Sequence, residues 1–532
     1  MHYLSLRMCC ISFILRVMIQ PYIFLCVLTS LHSYAITVGP VADLVIANAQ
    51  VSPDGFIKSA VLAGGTLPGP IITGQKGDTF KINVTDHLND ETMLTSTSIH
   101  WHGLFQRHSS QMDGAAFVTQ CPISPGHSFL YEFNPGNQVG THWYHSHYGV
   151  QYCDGLRGAL IIYDPQDPYH FSYDIDDEST VITLMDWYHV PSPQVQRQVV
   201  PDSLLINGVG GYSGGPDTPY AVINVQPYKR YRFRLLNMAC KPNYIFSIDQ
   251  HKLIVIEADG QYVEPLVVDS IQIYAAQRYS FILETTRPVD NYWVHVVPNL
   301  GTSSMAILRY AGSSDADPKI RTTSNTVALQ ETDLHSLYPP LPILLQEDGA
   351  DVKLDIVIGK NETDFNFLVN GVQYTSPSIP VLLQLLNGGI SASEMAPNGS
   401  IYSLPRNKVV EISWNPDNSP GRPHPFHLHG HKFAVIRSAG SSTYNYVNPV
   451  LRDTVSTGLL GDRVTIRFIT DNPGPWLLHC HIDWHLYTGM ALVFAEASQD
   501  VAASQSLSNS SKQLCPIYDS LPQQNFSLPP PN

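Results

Sequence analysis

The sequence predicts an all-β protein of three consecutive sandwich-like blocks, on three grounds: its length, its supply of turn residues, and the shortness of its apolar runs. At 532 residues and 59.0 kDa, the chain exceeds what one hydrophobic core usually serves, so two or three domains are expected. A hydrophobic fraction of 43% supplies real cores, while 40 prolines and 36 glycines imply many turns between short strands rather than long helices. Runs at 80–84, 159–163, 231–236, 270–274 and 463–468 read as strands, each set off by turn residues. Boundaries are expected near Tyr163-Asp164-Pro165 and within the polar stretch 313–326. This divides the chain into 36–164, 165–325 and 326–499, followed by a tail, 500–532, rich in Ser, Gln and Pro. The tail is expected to lie over the surface, held only where Cys515 finds a partner.

Residues 1–35 read as a secretory signal peptide: Arg7 and Arg16 flank an apolar stretch leading to the small-residue pattern Ser33-Tyr34-Ala35. The mature chain would then begin near Ile36 and be secreted. Charge and Pro21 interrupt any span of about 20 residues, which argues against a membrane anchor. The net charge of -15 argues against a nucleic-acid partner, because it offers no overall basic surface to displace counterions. Loss of the leader discards Cys9, Cys10 and Cys26 and leaves Cys121, Cys153, Cys240, Cys480 and Cys515. In an oxidising compartment four of these can pair, and the fifth is a free thiol or has another task. Sequons at Asn83, Asn361, Asn398, Asn509 and Asn525 are compatible with a secreted glycoprotein.

The 22 histidines are not scattered. Chance gives about 0.9 His-x-His triplets in such a chain, yet five occur, at His100/His102, His145/His147, His427/His429, His429/His431 and His479/His481. On a strand, residues two apart share a face, so each triplet can aim two imidazoles at one place, and four such strings can surround a metal cluster. His108, His127, His142, His251 and His431 are read as ordinary hydrogen-bonded or solvated histidines. The donor types select the metal. Cys480 lies in His479-Cys480-His481-Ile482-Asp483-Trp484-His485, with Met490 ten residues beyond it. Structural zinc prefers several cysteines, whereas two histidines (His424 and His485), one cysteine and a weak thioether describe a blue-copper electron-transfer site. The His-Cys-His string also gives electrons a short bonded route from that copper to others.

With these residues in view, the chain resembles fungal laccases of the multicopper oxidase family over about residues 39–515. The strings that carry the resemblance are His100-Trp101-His102-Gly103, Trp143-Tyr144-His145-Ser146-His147, His424-Pro425-Phe426-His427-Leu428-His429-Gly430-His431 and His479 through His485. The resemblance implies three cupredoxin-like domains and four copper ions. The type 1 copper would take His424, Cys480 and His485, with Met490 weak and axial, and the type 2 copper His100 and His427. One type 3 copper would take His102, His145 and His481, the other His147, His429 and His479. The resemblance further implies disulfides Cys121–Cys515 and Cys153–Cys240, and a proton-delivering role for Asp113. The partners it implies are dioxygen and small reducing substrates, for a monomer outside the cell acting in chemistry such as lignin degradation. Ferroxidase or ascorbate-oxidase-like donor specificity is the alternative within the class. A non-catalytic copper-binding secreted glycoprotein is the alternative outside it.

The chain departs from that pattern around the expected substrate pocket of Lys241, Asn299, Leu300 and His485. Where phenol-oxidising laccases usually carry a carboxylate after the cysteine, this chain has Cys240-Lys241-Pro242-Asn243, which removes the acceptor for a phenolic proton. The stretch 298–305 is also short for the family, which would open the pocket mouth. Met490 stands where many fungal members have Phe or Leu, and thioether donation stabilises oxidised copper.

Two outcomes are expected. Lys241→Asp should raise turnover of a simple phenol relative to a donor that carries no phenolic proton; an unchanged ratio removes the argument. Met490→Leu should raise the type 1 potential in a redox titration, and a fall or no change contradicts the axial assignment.

Overall fold

The computed structural model describes residues 36–522 except 196–199, 320–326, 365, 389–390, 393 and 416–422. The leader with its three cysteines, part of the expected second boundary, and Asn525 lie outside the described residues.

Alternation makes the strands. In Phe80–His87 the side chains of Phe80, Ile82 and Val84 turn inward while Lys81 and Asn83 turn out, and Ser128–Phe133 does the same with Phe129, Tyr131 and Phe133. Each such buried aliphatic or aromatic side chain contributes about 1.5–3 kcal/mol. The other expected runs appear as Arg157–Tyr163, Arg230–Asn237, Ser270–Ile273 and Val464–Ile469.

Six sheets result, and each takes its strands from one of three successive stretches of chain. The first stretch gives a five-stranded sheet, in the order Thr37–Val38, Ile71–Gln75, Arg157–Tyr163, Gly140–Ser146, Ile99–His102, and a four-stranded one around Val41–Val51 and Phe80–His87. The second and third stretches each give a six-stranded and a five-stranded sheet. In the third, the five-stranded sheet runs Ile401–Leu404, Ala491–Glu496, Gly474–Cys480, Pro425–Leu428, Thr454–Ser456. Gly140–Ser146 and Gly474–Cys480 are buried on both faces, because one face packs in its own sandwich and the other against a neighbouring block.

Covalent and ionic links join the blocks. Cys153–Cys240 ties the first to the second, and Trp143, Tyr152, Trp187 and Trp484 pack around it in one cluster. Arg278, fully buried in the second block, donates to both oxygens of Asp453 in the third, at 2.7 and 2.6 Å. Arg452 donates to Asp259 at 2.9 Å and to Glu331 at 2.8 Å. The Arg278–Asp453 and Arg452–Asp259 pairs are buried, so removal of one partner would strand an uncompensated charge.

The tail differs from expectation. It forms helices Ser498–Ser504 and Asn509–Asp519 and is fastened at several points besides Cys121–Cys515. Val501 and Leu514 are buried, Gln505 accepts from the Ser110 hydroxyl at 2.6 Å, and Tyr518 meets Tyr148 hydroxyl to hydroxyl at 2.9 Å. The cause is local: the Ser508 hydroxyl accepts the Ser511 N–H at 3.0 Å and starts the second helix, whose few apolar side chains suffice for docking.

Candidate metal centre

Strand register assembles the histidines. Ile99–His102 runs antiparallel to Gly140–Ser146 with His100 opposite His145, and Pro425–Leu428 runs antiparallel to Gly474–Cys480 with His427 opposite His479. The pairings continue beyond the strand ends through His147 N–H to Ser98 at 3.1 Å and His429 N–H to Leu477 at 2.9 Å. Opposite residues share a face, as do residues two apart, so each sheet presents four imidazoles on one side. The two sets face each other. His102 and His427 stack at 3.7 Å between ring centroids, His100 and His429 at 4.0 Å.

Each imidazole whose hydrogen bonding is defined turns one nitrogen to a protein oxygen. Nδ1 of His100 and of His427 bonds the carbonyls of Asp113 and Asp453, each at 2.8 Å. Nδ1 of His145 bonds the Ser146 carbonyl at 2.8 Å, and that of His479 the Cys480 carbonyl at 2.9 Å. Nδ1 of His429 bonds the Asp113 carboxylate at 2.8 Å. His102 is reversed: its Nε2 lies 3.2 Å from the Asp453 carboxylate. The opposite nitrogens, Nε2 of His100, His145, His147, His427 and His481 and Nδ1 of His102, are buried without a hydrogen bond. A buried polar atom so left costs about 1–3 kcal/mol, and a metal ion would supply the missing partner. Donor atoms of His147, His429 and His479 lie within 4.8 Å of one another, as do those of His100, His427 and His429 and of His100, His102 and His145. His481 closes the cage at 5.0 Å from His102 and 5.2 Å from His145 between ring centroids.

Burial, reinforced by neighbouring imidazoles, holds His102, His145, His147, His427, His429 and His481 well below the ordinary imidazole range and lowers His479 to about 3. The rings are therefore neutral, the form that binds metal.

The third-block strand carries a second site on its other face. Cys480 is fully buried among Phe426, Leu478 and Leu492, inside the sandwich. Its Sγ lies 3.7 Å from Nδ1 of His424 and 3.5 Å from Nδ1 of His485, and those nitrogens are 3.2 Å apart. A point equidistant from the three donors lies about 2 Å from each, the length of a metal–imidazole bond. Met490 is fully buried; its carbonyl accepts the Cys480 N–H at 3.1 Å and its N–H donates to His485 at 2.9 Å. Burial pushes the Cys480 thiol up, so the proton must leave as metal binds. Both donor sets fit copper, and the thiolate set fits it better than zinc.

His485 is part-exposed and opens on a small cavity of 40 Å³ lined by Lys241, Asn299, Leu300, Tyr274 and Ile482. The four expected pocket residues thus come together, and among the described residues no Asp or Glu lines this cavity. Asn299 is fixed across it, accepting the Asn243 N–H at 3.0 Å. The histidines read as ordinary make ordinary contacts: His142 bonds the Val139 carbonyl, His251 the Tyr310 hydroxyl, and His431 lies 2.9 Å from Glu496.

Sequence reasoning missed Asp453 and Thr454. Asp453 contacts His102 and His427 while taking the Arg278 pair, and the Thr454 hydroxyl is 3.3 Å from both imidazoles. Arg452-Asp453-Thr454 has no spacing that marks it; only the fold brings it to the cage. Asp113 is placed by Gly114, at φ +80, where an added Cβ would come within 1.7 Å of the Ile99 carbonyl.

A cage of eight imidazoles, joined through one strand to a thiolate with two more, defines an oxidase that moves single electrons between coppers. The chain belongs to the multicopper oxidase family, whose models match residues 45–167, 178–313 and 374–500. It is similar to Laccase-4 of Trametes villosa, 52% identical over 511 residues that cover 93% of this chain and 98% of the relative. Among solved structures it resembles the laccase of Botrytis aclada, with TM-score 0.79, 29% identity, and coverage of 93% of this chain and 94% of that one. It also resembles Fet3p, a multicopper oxidase that functions in iron import, with TM-score 0.79, 28% identity, and coverage of 92% and 97%.

Asp113→Asn keeps the shape but removes the charge that orients His429. The affinity of the cage for copper, or the rate of oxygen uptake, should fall about 10–100-fold while the blue absorption of the Cys480 site persists. Full activity with full metal content would refute this role.

Proposed function

We propose that the chain is a laccase-type oxidase coupling four one-electron oxidations of small phenolic, aromatic or other reducing donors to the reduction of dioxygen to two waters. The observation that carries this reading is the His479-Cys480-His481 string: its sulfur belongs to the three-donor site beneath the cavity, and both flanking imidazoles belong to the cage. Copper at these positions supplies one-electron transfer and the store of four electrons that dioxygen requires. In this reading His424, Cys480 and His485, with Met490 beside them, would hold the type 1 copper, His100 and His427 the type 2 copper, and the two expected histidine triads the type 3 pair.

The protein's own contribution is placement. His485 exposes an edge to the donor, and Lys241, Asn299 and Leu300 shape its approach. Asp113, hydrogen-bonded to His429, holds that ring and would be the acid that relays protons toward the cage. Most of the cage is buried, so bulk water would meet it only from the side of His147. The division 36–164, 165–325 and 326–499, a secreted monomer without a membrane anchor, and action on lignin-derived aromatics complete the proposal. No helix among the described residues is long and apolar enough to cross a membrane. Iron oxidation is disfavoured by the cavity, whose lining offers no carboxylate to hold Fe(II) among the described residues.

The test is copper-loaded protein in an oxygen electrode with phenols, an anionic dye, ascorbate and Fe(II). Oxygen uptake with aromatic donors, a blue colour, and loss of both in Cys480→Ser are expected. Exclusive turnover of Fe(II) or ascorbate would reassign the donor, and bound copper without uptake would make this a binding protein.

A further inference from the structure

A larger cavity, of 320 Å³, opens to solvent between the first and third blocks. It has about twice the roughly 150 Å³ that accepts benzene in an engineered apolar cavity. Phe117, Tyr148, Tyr374 and Tyr487 line it, with Leu486 beside them, and His147 of the cage lies in its wall. Among the described residues its lining contains no Asp, Glu, Lys or Arg.

The aromatic wall is held in place from outside. Tyr518, on the tail helix clamped by Cys121–Cys515, meets Phe117 edge to face at 5.6 Å and bonds the Tyr148 hydroxyl at 2.9 Å. Phe117 itself sits at φ +62, a conformation that a bulky residue rarely adopts, and its N–H donates to the Gln120 carbonyl at 2.7 Å. A preorganised, uncharged aromatic pocket binds flat apolar rings through edge-to-face contacts and area burial, with little ordering to offset.

We propose that this cavity is a second small-molecule site, distinct from the cleft at His485, which takes a neutral aromatic of one or two rings and thereby inhibits the enzyme in competition with dioxygen. The binding follows from the cavity alone. The inhibition rests on the oxidase reading above, because an occupant beside His147 closes the cage's approach to solvent on that side. Neutral aromatic products of the reaction belong to the class the site would accept.

The test uses copper-loaded protein and 4-fluorotoluene, a probe with no phenolic hydrogen, in a fluorine NMR titration. Saturable binding with Kd of roughly 0.1–1 mM is expected. Ser376 is exposed at the cavity rim, so Ser376→Trp narrows the mouth without disturbing a core and should weaken binding about fivefold; Phe117→Ala should do the same by removing a wall. Non-saturable binding, or binding indifferent to both variants, overturns the site. In steady state the probe should raise the KM for dioxygen and leave that for the donor alone; competition with the donor instead would place it at His485 and overturn the inhibition. Absence of any oxygen uptake would overturn the oxidase reading and the inhibition with it, while the titration by itself upholds or overturns the site.

Discussion

The alternation of side chains along the single strand Gly474–Cys480 is the constraint on which the rest depends. Successive residues of an extended chain point to opposite faces. The sulfur of Cys480 therefore enters the apolar interior of the third sandwich, while His479 and His481 leave from the other side to meet the first block. Two environments with opposite chemical demands are thus one peptide unit apart. One is a dry, apolar pocket around the sulfur, and the other is a nest of imidazoles backed by carbonyls and two carboxylates. The electron path between them is covalent because the fold leaves no intervening gap.

Everything around that strand serves to hold two half-cages in register. Neither the first nor the third block alone supplies enough donors, so the centre exists only at their interface, and the middle block acts as a brace. Arg278 shows how. It belongs to the middle block yet neutralises Asp453, the acid beneath His102 and His427, so the position of two imidazoles is set by a residue that touches neither copper site. The disulfide Cys153–Cys240 does related work near the other site, since the Cys240 carbonyl accepts the Asp483 N–H at 2.9 Å just before His485.

The legible part of the sequence was the part governed by period two. Strands such as Phe80–His87 and the histidine strings declare themselves by spacing, and donor chemistry then named the metal. The all-β class followed from composition, and the structure adds only short helices to it. The disulfide partners came from resemblance, and both pairs are bonded as it implied. What could not be read was what depends on distant pieces meeting: Asp453, whose neighbours in sequence give no hint; the reversed ring of His102, fixed by that same acid; and the docking of a polar tail. The tail misled because composition weighs every residue equally, whereas docking needs only a few apolar side chains at the right turns.

The bond between Cys121 and Cys515 spans 394 residues and returns the last helix to the first block. The cage likewise draws half its donors from before residue 150 and half from after residue 420. During synthesis, then, the early histidines emerge long before their counterparts exist, and form an incomplete set of donors. Correct metal loading has to await nearly the whole polypeptide, so the order in which the chain is made and closed, and not the histidines alone, governs when the centre can form.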